Sequence, residues 1–432
     1  MRLSARQWAI VALGAGAALP VGVRVPYAAT GTLPIDVLVW TFLVVTLVLT
    51  GNREWKGLRR DAVARLLVAY LAASAASLPI GIAAYHNTTG VRSYLYGVAI
   101  VANFAAGYLI LRGTDDVKLV LRAFVASIGV VSIGLNIYLL QSGILENPHS
   151  FHNSRFITTL VYGWPNAFSV LLVIAALMAV YFLLTATTTP IRIVYGVLAA
   201  SLAVCLILTF SKTGWVSAAV AAWVLLLRFW SWRRQLALVG FLLAAGVGLY
   251  FVGNESLRMQ LFTIETLTER FTIVADVFRY TNPLYILVGS GSQPLETLLR
   301  AHANVQIAPT VGLATLSPHD EFVNVLVKGG IASLVLFVAA LVVVMLRLRR
   351  VVRQPDGLDS MLFRYWQAAS WAVIASLFTG EELRYWPLAA AFWLVAGASV
   401  HHLPPRPTAL AARADRQRTA GTSAAVTSKP LG

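Results

Sequence analysis

Long apolar runs separated by short polar or basic connections dominate the chain. They lie near residues 8–27, 33–50, 62–85, 94–111, 119–141, 160–186, 191–210, 214–230, 235–253, 321–346, 365–380 and 386–402. A helix needs about 20 apolar residues to cross the hydrocarbon layer, and these runs are of that order. The pattern predicts an all-α, polytopic membrane bundle of about twelve transmembrane helices. The first run is interrupted by Pro20 and Arg24, and the eleventh is short. The start of the chain, Arg2 and Arg6 before an apolar stretch, has the form of a signal peptide but reads as the first span, because no soluble domain follows it.

One polar segment, 254–320, is long; a second, 142–159, is moderate. The expected organisation is helices 1–9 over 1–253, a large extracytoplasmic loop over 254–320, helices 10–12 over 321–402, and a disordered cytoplasmic tail over 403–432, rich in Pro, Ala, Arg and Ser. No internal repeat is visible, which counts against transporter folds built from duplicated halves.

Composition sharpens this picture. Of the 432 residues, 58% are hydrophobic and only 12% charged, about half the charge of a soluble domain; the exterior therefore faces lipid. The formal net charge of +16 does not point to nucleic acid, since the basic residues occupy short loops between apolar runs. The most basic loops, 51–61, 228–234 and 347–364, alternate correctly for a cytoplasmic N-terminus, and an even number of spans then places the C-terminus inside as well. The one cysteine, Cys205, excludes an intramolecular disulfide.

Candidate chemistry gathers on the opposite, outer face. The sequence has no Walker A motif, no dinucleotide fingerprint and no metal-ligand spacing among its histidines, so neither cofactor nor metal is expected. Pro318 can open a helix, which would crowd His319, Asp320 and Glu321 into its first turn at the membrane surface, with Asn324 and Lys328 deeper in the span. His319 there is either a solvated residue beside an interfacial cap or a general base and hydroxyl-positioning group over a cavity. Upstream, Arg270 opens a helical stretch ending near Arg279, followed by Pro283 and then Gly289-Ser290-Gly291. The two arginines could simply pair with Glu269 or Asp276. The two glycines allow either an ordinary turn or close backbone approach to a ligand. Ser211-Lys212-Thr213-Gly214 forms a very short outer connection, with Lys212 snorkelling or facing a ligand. Arg155 precedes Pro165-Asn166 at the mouth of the sixth span, where Asn166 is a simple cap or an intramembrane amide. Arg155, Lys212, Arg270, Arg279 and His319 thus share one face, and cations at a membrane surface suit a lipid diphosphate.

Taken in order, these motifs resemble those of the bacterial O-antigen ligase and O-antigen polymerase superfamily. That family's loop-end motif, His-Asn-x-x-Leu-x-x-Leu-x-Glu-x-Gly-x-x-Gly-Leu, is matched by His319, Leu326, Gly330 and Leu334. Asp320 replaces its Asn, Val323 a Leu, Lys328 its Glu and Ser333 a Gly. Its Arg-led helix followed by Pro and Gly-x-Gly is matched by Arg270, Pro283, Gly289 and Gly291, with Val274 where Trp is usual. Ser211-Lys212 matches its Ser-Arg-Gly-like turn, and Pro165-Asn166 its Pro-Asn. The likeness covers roughly residues 150–340.

The resemblance implies a metal-independent, C-type membrane glycosyltransferase that moves a glycan from an undecaprenyl-diphosphate donor to an acceptor hydroxyl on a glycan, a lipid or a wall polymer. Arg270 and His319 would be catalytic, the first stabilising the leaving diphosphate and the second orienting or deprotonating the acceptor. Lys212, Arg279 and Arg155 would bind the diphosphate, with Asp320, Glu321, Asn166, Gly289, Gly291 and Gly330 in support. The other readings are a twelve-span secondary transporter or lipid-linked glycan flippase, and a membrane assembly protein without catalysis.

Overall fold

The computed structural model describes residues 4–18, 24–27, 31–34, 55–85, 89–141, 165–209, 211–226, 233, 272, 274–275, 277–279, 283–291, 320–353, 358–380 and 386–402. These residues are almost wholly helical. Helix α1 spans Ala5–Ala18, followed by an antiparallel hairpin of β1 (Arg24–Tyr27) and β2 (Gly31–Pro34). The helices α2 (Trp55–Arg60), α3 (Ala62–Tyr85), α4 (Thr89–Ile110), α5 (Thr114–Gln141), α6 (Pro165–Thr185), α7 (Thr189–Leu208) and α8 (Lys212–Leu226) come next. After them stand α9 (Pro283–Val288), α10 (Glu321–Val352), α11 (Leu358–Leu377) and α12 (Trp386–Ala398), which runs into a 3₁₀ turn at Ser399–His402.

Five of the described helices are long and apolar enough to cross a membrane by length and composition: α3, α5, α6, α7 and α10. Shorter apolar stretches occupy Tyr94–Ile110 in α4 and Lys212–Leu226 in α8. The expected runs at 33–50 and 235–253, and the tail after His402, lie outside the described residues. The first expected span differs from the structure: α1 stops at Ala18, and its 14 residues make about 21 Å of helix, short of the roughly 30 Å hydrocarbon core. The last four residues of that run, Arg24–Tyr27, form a strand of the hairpin rather than helix.

Packing is pairwise and apolar: α3 lies against α10, α4 against α12, α6 against α7, α1 against α5, and α8 against α11. One continuous core joins most of these pairs, with Phe104, Phe124, Phe168, Phe337, Phe363, Trp366, Phe392 and Trp393 essentially closed to solvent. Small residues allow the closest approaches. A Cβ on Gly107 or Gly397 would collide with the facing backbone of Leu394 or Phe104, so α4 and α12 meet almost backbone to backbone, as close membrane helix pairs do.

Two buried polar groups fix α3 against α10 near opposite ends. Asp61, just before α3, accepts a bidentate pair from Arg347 of α10, with Nη2–Oδ2 at 2.6 Å and Nη1–Oδ1 at 3.1 Å. Its Oδ1 also caps α3, accepting from the Val63 and Ala64 amides. Toward the other end of the pair, α10 is broken. Gly330 has φ 77° and ψ 177°, a region open essentially only to glycine. Breaking a helix within a membrane frees carbonyls that lipid cannot satisfy. Here three successive carbonyls find donors: Val327 O accepts from the Ser290 amide at 2.9 Å, Lys328 O from Ser77 Oγ at 3.1 Å, and Gly329 O from Ser333 Oγ at 2.7 Å.

The Gly289-Ser290-Gly291 turn is therefore a wedge between α3 and α10. Gly289 and Gly291 both have positive φ, 88° and 70°. A Cβ on Gly289 would sit 2.6 Å from Lys328 O, and one on Gly291 2.7 Å from Gly81 Cα. The expected extracytoplasmic loop thus returns into the bundle at Pro283–Gly291, reaching α10 about 14 Å along its axis from Glu321.

Candidate active site at one end of the bundle

The polar end opposite Asp61–Arg347 is assembled from four helix termini. Ser211 precedes α8 and acts as its cap: Ser211 Oγ accepts from the Gly214 amide at 3.2 Å and donates to Asn166 Oδ1 at 2.9 Å. Ser169 Oγ lies 2.9 Å from Ser211 Oγ and 2.5 Å from Asn166 O. Asn166, at the start of α6, is thereby fixed to the start of α8. Thr379, just past α11, donates to Thr213 Oγ1 at 3.1 Å, and its neighbour Phe378 packs on Phe322 with ring centroids 4.9 Å apart. Phe322 belongs to the first turn of α10. The starts of α6, α8 and α10 and the end of α11 are thus linked by direct contacts.

Lys212 is the first residue of α8 and is half-buried, with Ser211 and Thr213 buried on either side. Its backbone is held by the same cap that fixes Asn166. Asp320 departs from the expected first-turn position. It is extended, with φ −146° and ψ 118°, and stands before the helix as its N-cap, Oδ1 accepting from the Phe322 and Val323 amides at 2.8 and 3.0 Å. An aspartate here satisfies two orphan amides and faces the positive end of the helix dipole. Glu321 is the first helical residue and is buried. Asn324 and Lys328 follow on the same side and are also buried.

Arg279 is exposed on a helical stretch whose Val277 is buried. Gly289, Gly291 and Gly330 gather at the break in α10, where the facing surface is protein backbone. His319, Arg270 and Arg155 lie outside the described residues. Among the described residues, no three His, Cys, Asp or Glu side chains form a group that could hold a metal ion.

Ser169 and Thr379 are neighbours of this cluster that motif reading misses. Ser211 carried a usable signal, since a serine at the start of an apolar helix reads as an N-cap. The pairing of Asn166 with Ser211, 45 residues apart, carries none. Ser211→Ala should remove both the cap and the tie to Asn166. We expect a loss of about 1–2 kcal/mol, read as a lower melting temperature of the purified protein. An unchanged melting temperature would show that the cap is redundant.

A multi-span helical membrane protein with a polar cluster at one end of its bundle is what these observations define. The O-antigen ligase family model matches residues 197–338, about a third of the chain, and this stretch is thus similar to the O-antigen ligase and polymerase superfamily. The match includes the Ser211–Lys212 cap, the Gly289–Gly291 wedge and the capped, broken start of α10. The family implies a glycosyltransferase-like membrane enzyme. No curated protein and no solved structure matches the chain.

Proposed function

We propose that the protein is a membrane glycosyltransferase of the outer face of the bacterial cytoplasmic membrane. It transfers or polymerises a glycan from an undecaprenyl-diphosphate donor onto an acceptor hydroxyl of another glycan, a lipid or a wall polymer. Both termini lie in the cytoplasm in this reading. The observation that carries it is the family match over 197–338, whose described part includes the helix starts at Ser211 and Asp320; Asn166, outside the match, is tied to Ser211.

Chemically, the donor already holds its activation energy in the glycosyl diphosphate bond. The enzyme must orient the acceptor and stabilise charge developing on the departing diphosphate. Lys212, fixed at the start of α8, supplies a cation at the polar end. Arg270, Arg279 and Arg155 add charge from the connecting segments, acting through charge-assisted hydrogen bonds. His319, the residue before the α10 cap, takes or orients the acceptor proton. Asp320 contributes by fixing where α10 begins, and Asn166 by positioning α6 against α8.

The test is glycan transfer by full-length protein reconstituted with a lipid-linked donor and its acceptor. Arg270→Ala and His319→Ala should each lower the rate by about a hundredfold while inserting normally. Full activity in both well-inserted variants would refute this assignment. Donor translocation without transfer in liposomes would favour a flippase.

A further inference from the structure

Lys328 is a buried cation of α10 that takes no part in the ion pairs or the helix cap. It is 9% exposed, and it lies in a helix long and apolar enough to span a membrane. Among the described residues its ammonium makes no hydrogen bond or ion pair; only its carbonyl is engaged, by Ser77. The buried cation elsewhere in α10 behaves differently: Arg347 is fully paired with Asp61. A largely enclosed cation without an anion is costly for a protein to hold, and in a transmembrane segment such a residue marks a functional path.

Its surroundings specify the chemistry. Glu321, Asn324 and Lys328 are spaced i, i+3, i+7 and so form one buried stripe, running from the capped end of α10 toward the break. Glu321 and Lys328 are separated by about 10 Å along the axis. Helical side chains lean toward the N-terminus, so the lysine stem rises from the break toward the polar end. A second group without a partner belongs to the same place. Ser290, whose amide bonds Val327 O, is completely buried, and its hydroxyl has no hydrogen-bond partner among the described residues. An ammonium and a hydroxyl beside one helix break are both suited to anionic oxygens.

We infer that Lys328 is a binding residue for the diphosphate of the polyprenyl-linked donor, contacting it from within the span while Lys212 contacts it from the start of α8. The assignment rests on the glycosyltransferase reading and adds to it a phosphate contact placed inside the bundle.

The experiment uses full-length protein in phosphatidylcholine nanodiscs, titrated with undecaprenyl diphosphate. Undecaprenol and phosphatidylglycerol serve as the uncharged and general anionic-lipid probes. Wild type should bind the diphosphate lipid in preference to both. Lys328→Met should weaken that binding by about ten- to a hundredfold without lowering the melting temperature of the lipid-free protein. Lys328→Arg should stay within about threefold of wild type, since the charge is kept. Unchanged binding in Lys328→Met overturns the assignment, as does a loss in Lys328→Arg as large as that in Lys328→Met. Equal binding of undecaprenol or phosphatidylglycerol by wild type also overturns it. Glycan transfer separates the two ideas. Transfer with unchanged KM in Lys328→Met refutes Lys328 and leaves the enzyme reading standing. Lys328-dependent diphosphate binding without transfer refutes the enzyme reading and leaves Lys328 standing.

Discussion

Arg347→Met and Asp61→Ala should each cost the folded protein about 3–5 kcal/mol, the penalty for stranding one member of a buried pair. The pair is closed to solvent, each residue being 8% exposed. Both guanidinium contacts are made, and the carboxylate also holds two amides at the start of α3. Removing Arg347 leaves that carboxylate buried without its counter-charge. Removing Asp61 leaves a guanidinium unpaired and α3 uncapped. The double variant Asp61→Asn, Arg347→Met should lose much less than the sum, because the amide oxygen retains the cap and neither charge is stranded. Arg6–Asp116 is the comparison: its contact is equally short at 2.6 Å, but Arg6 is half exposed, so Arg6→Ala should cost under about 1 kcal/mol. Thermal unfolding in one detergent reads all four. If Arg347→Met melts no lower than Arg6→Ala, the buried pair is not what holds α3 to α10 at that end.

That pair shows where sequence reading reaches its limit. Arg347 counts, by sequence, as one more cation of a basic loop, and Asp61 as a loop acid. Their positions agree with an inside end, but nothing in either local pattern reports a partner 286 residues away. Individual helices are legible where they are described, because a continuous apolar run is a local signal. The run at 62–85 coincides with α3 and that at 321–346 with most of α10. The run at 8–27, which contains Pro20 and Arg24, coincides with a helix only as far as Ala18 and holds a strand from Arg24.

At the polar end of the bundle, local motifs and their tertiary pairing differ in how far the sequence shows them. Asn166, Ser211 and Lys212 were singled out as separate motifs, and the structure brings Asn166 onto the Ser211 hydroxyl. Asp320 reads as a first-turn residue, whereas it caps the helix; Pro318 suggests a start three residues before Glu321. Gly289 and Gly291 read as an ordinary turn or as a close approach to a ligand; the surface against them is protein backbone. Which surface approaches is a tertiary fact, and here it is α3 and α10. The same wedge holds the broken part of α10 against α3.

Gly330→Ala should therefore be among the most damaging single methyl additions in the chain. At φ 77° and ψ 177° any side chain is strained by about 1–3 kcal/mol. The added Cβ would also lie 2.5 Å from Leu287 O and 2.8 Å from the Gly289 amide nitrogen. Both obstacles are backbone, so neither can rotate away. Relief requires straightening α10 or expelling the 289–291 turn. Either move strips Val327 O of its Ser290 donor inside a helix that has no water to replace it. The combined cost should exceed about 4 kcal/mol, the range reserved for backbone strain and unsatisfied buried groups together. Gly134→Ala supplies the control. Gly134 sits within α5 with nothing inside 4 Å of an added Cβ, so alanine there should be neutral or stabilise by up to about 1 kcal/mol. Expression and melting temperature in detergent compare the two directly. A Gly330→Ala protein that melts with Gly134→Ala would mean that α10 runs straight through this position and that the wedge does not hold it open.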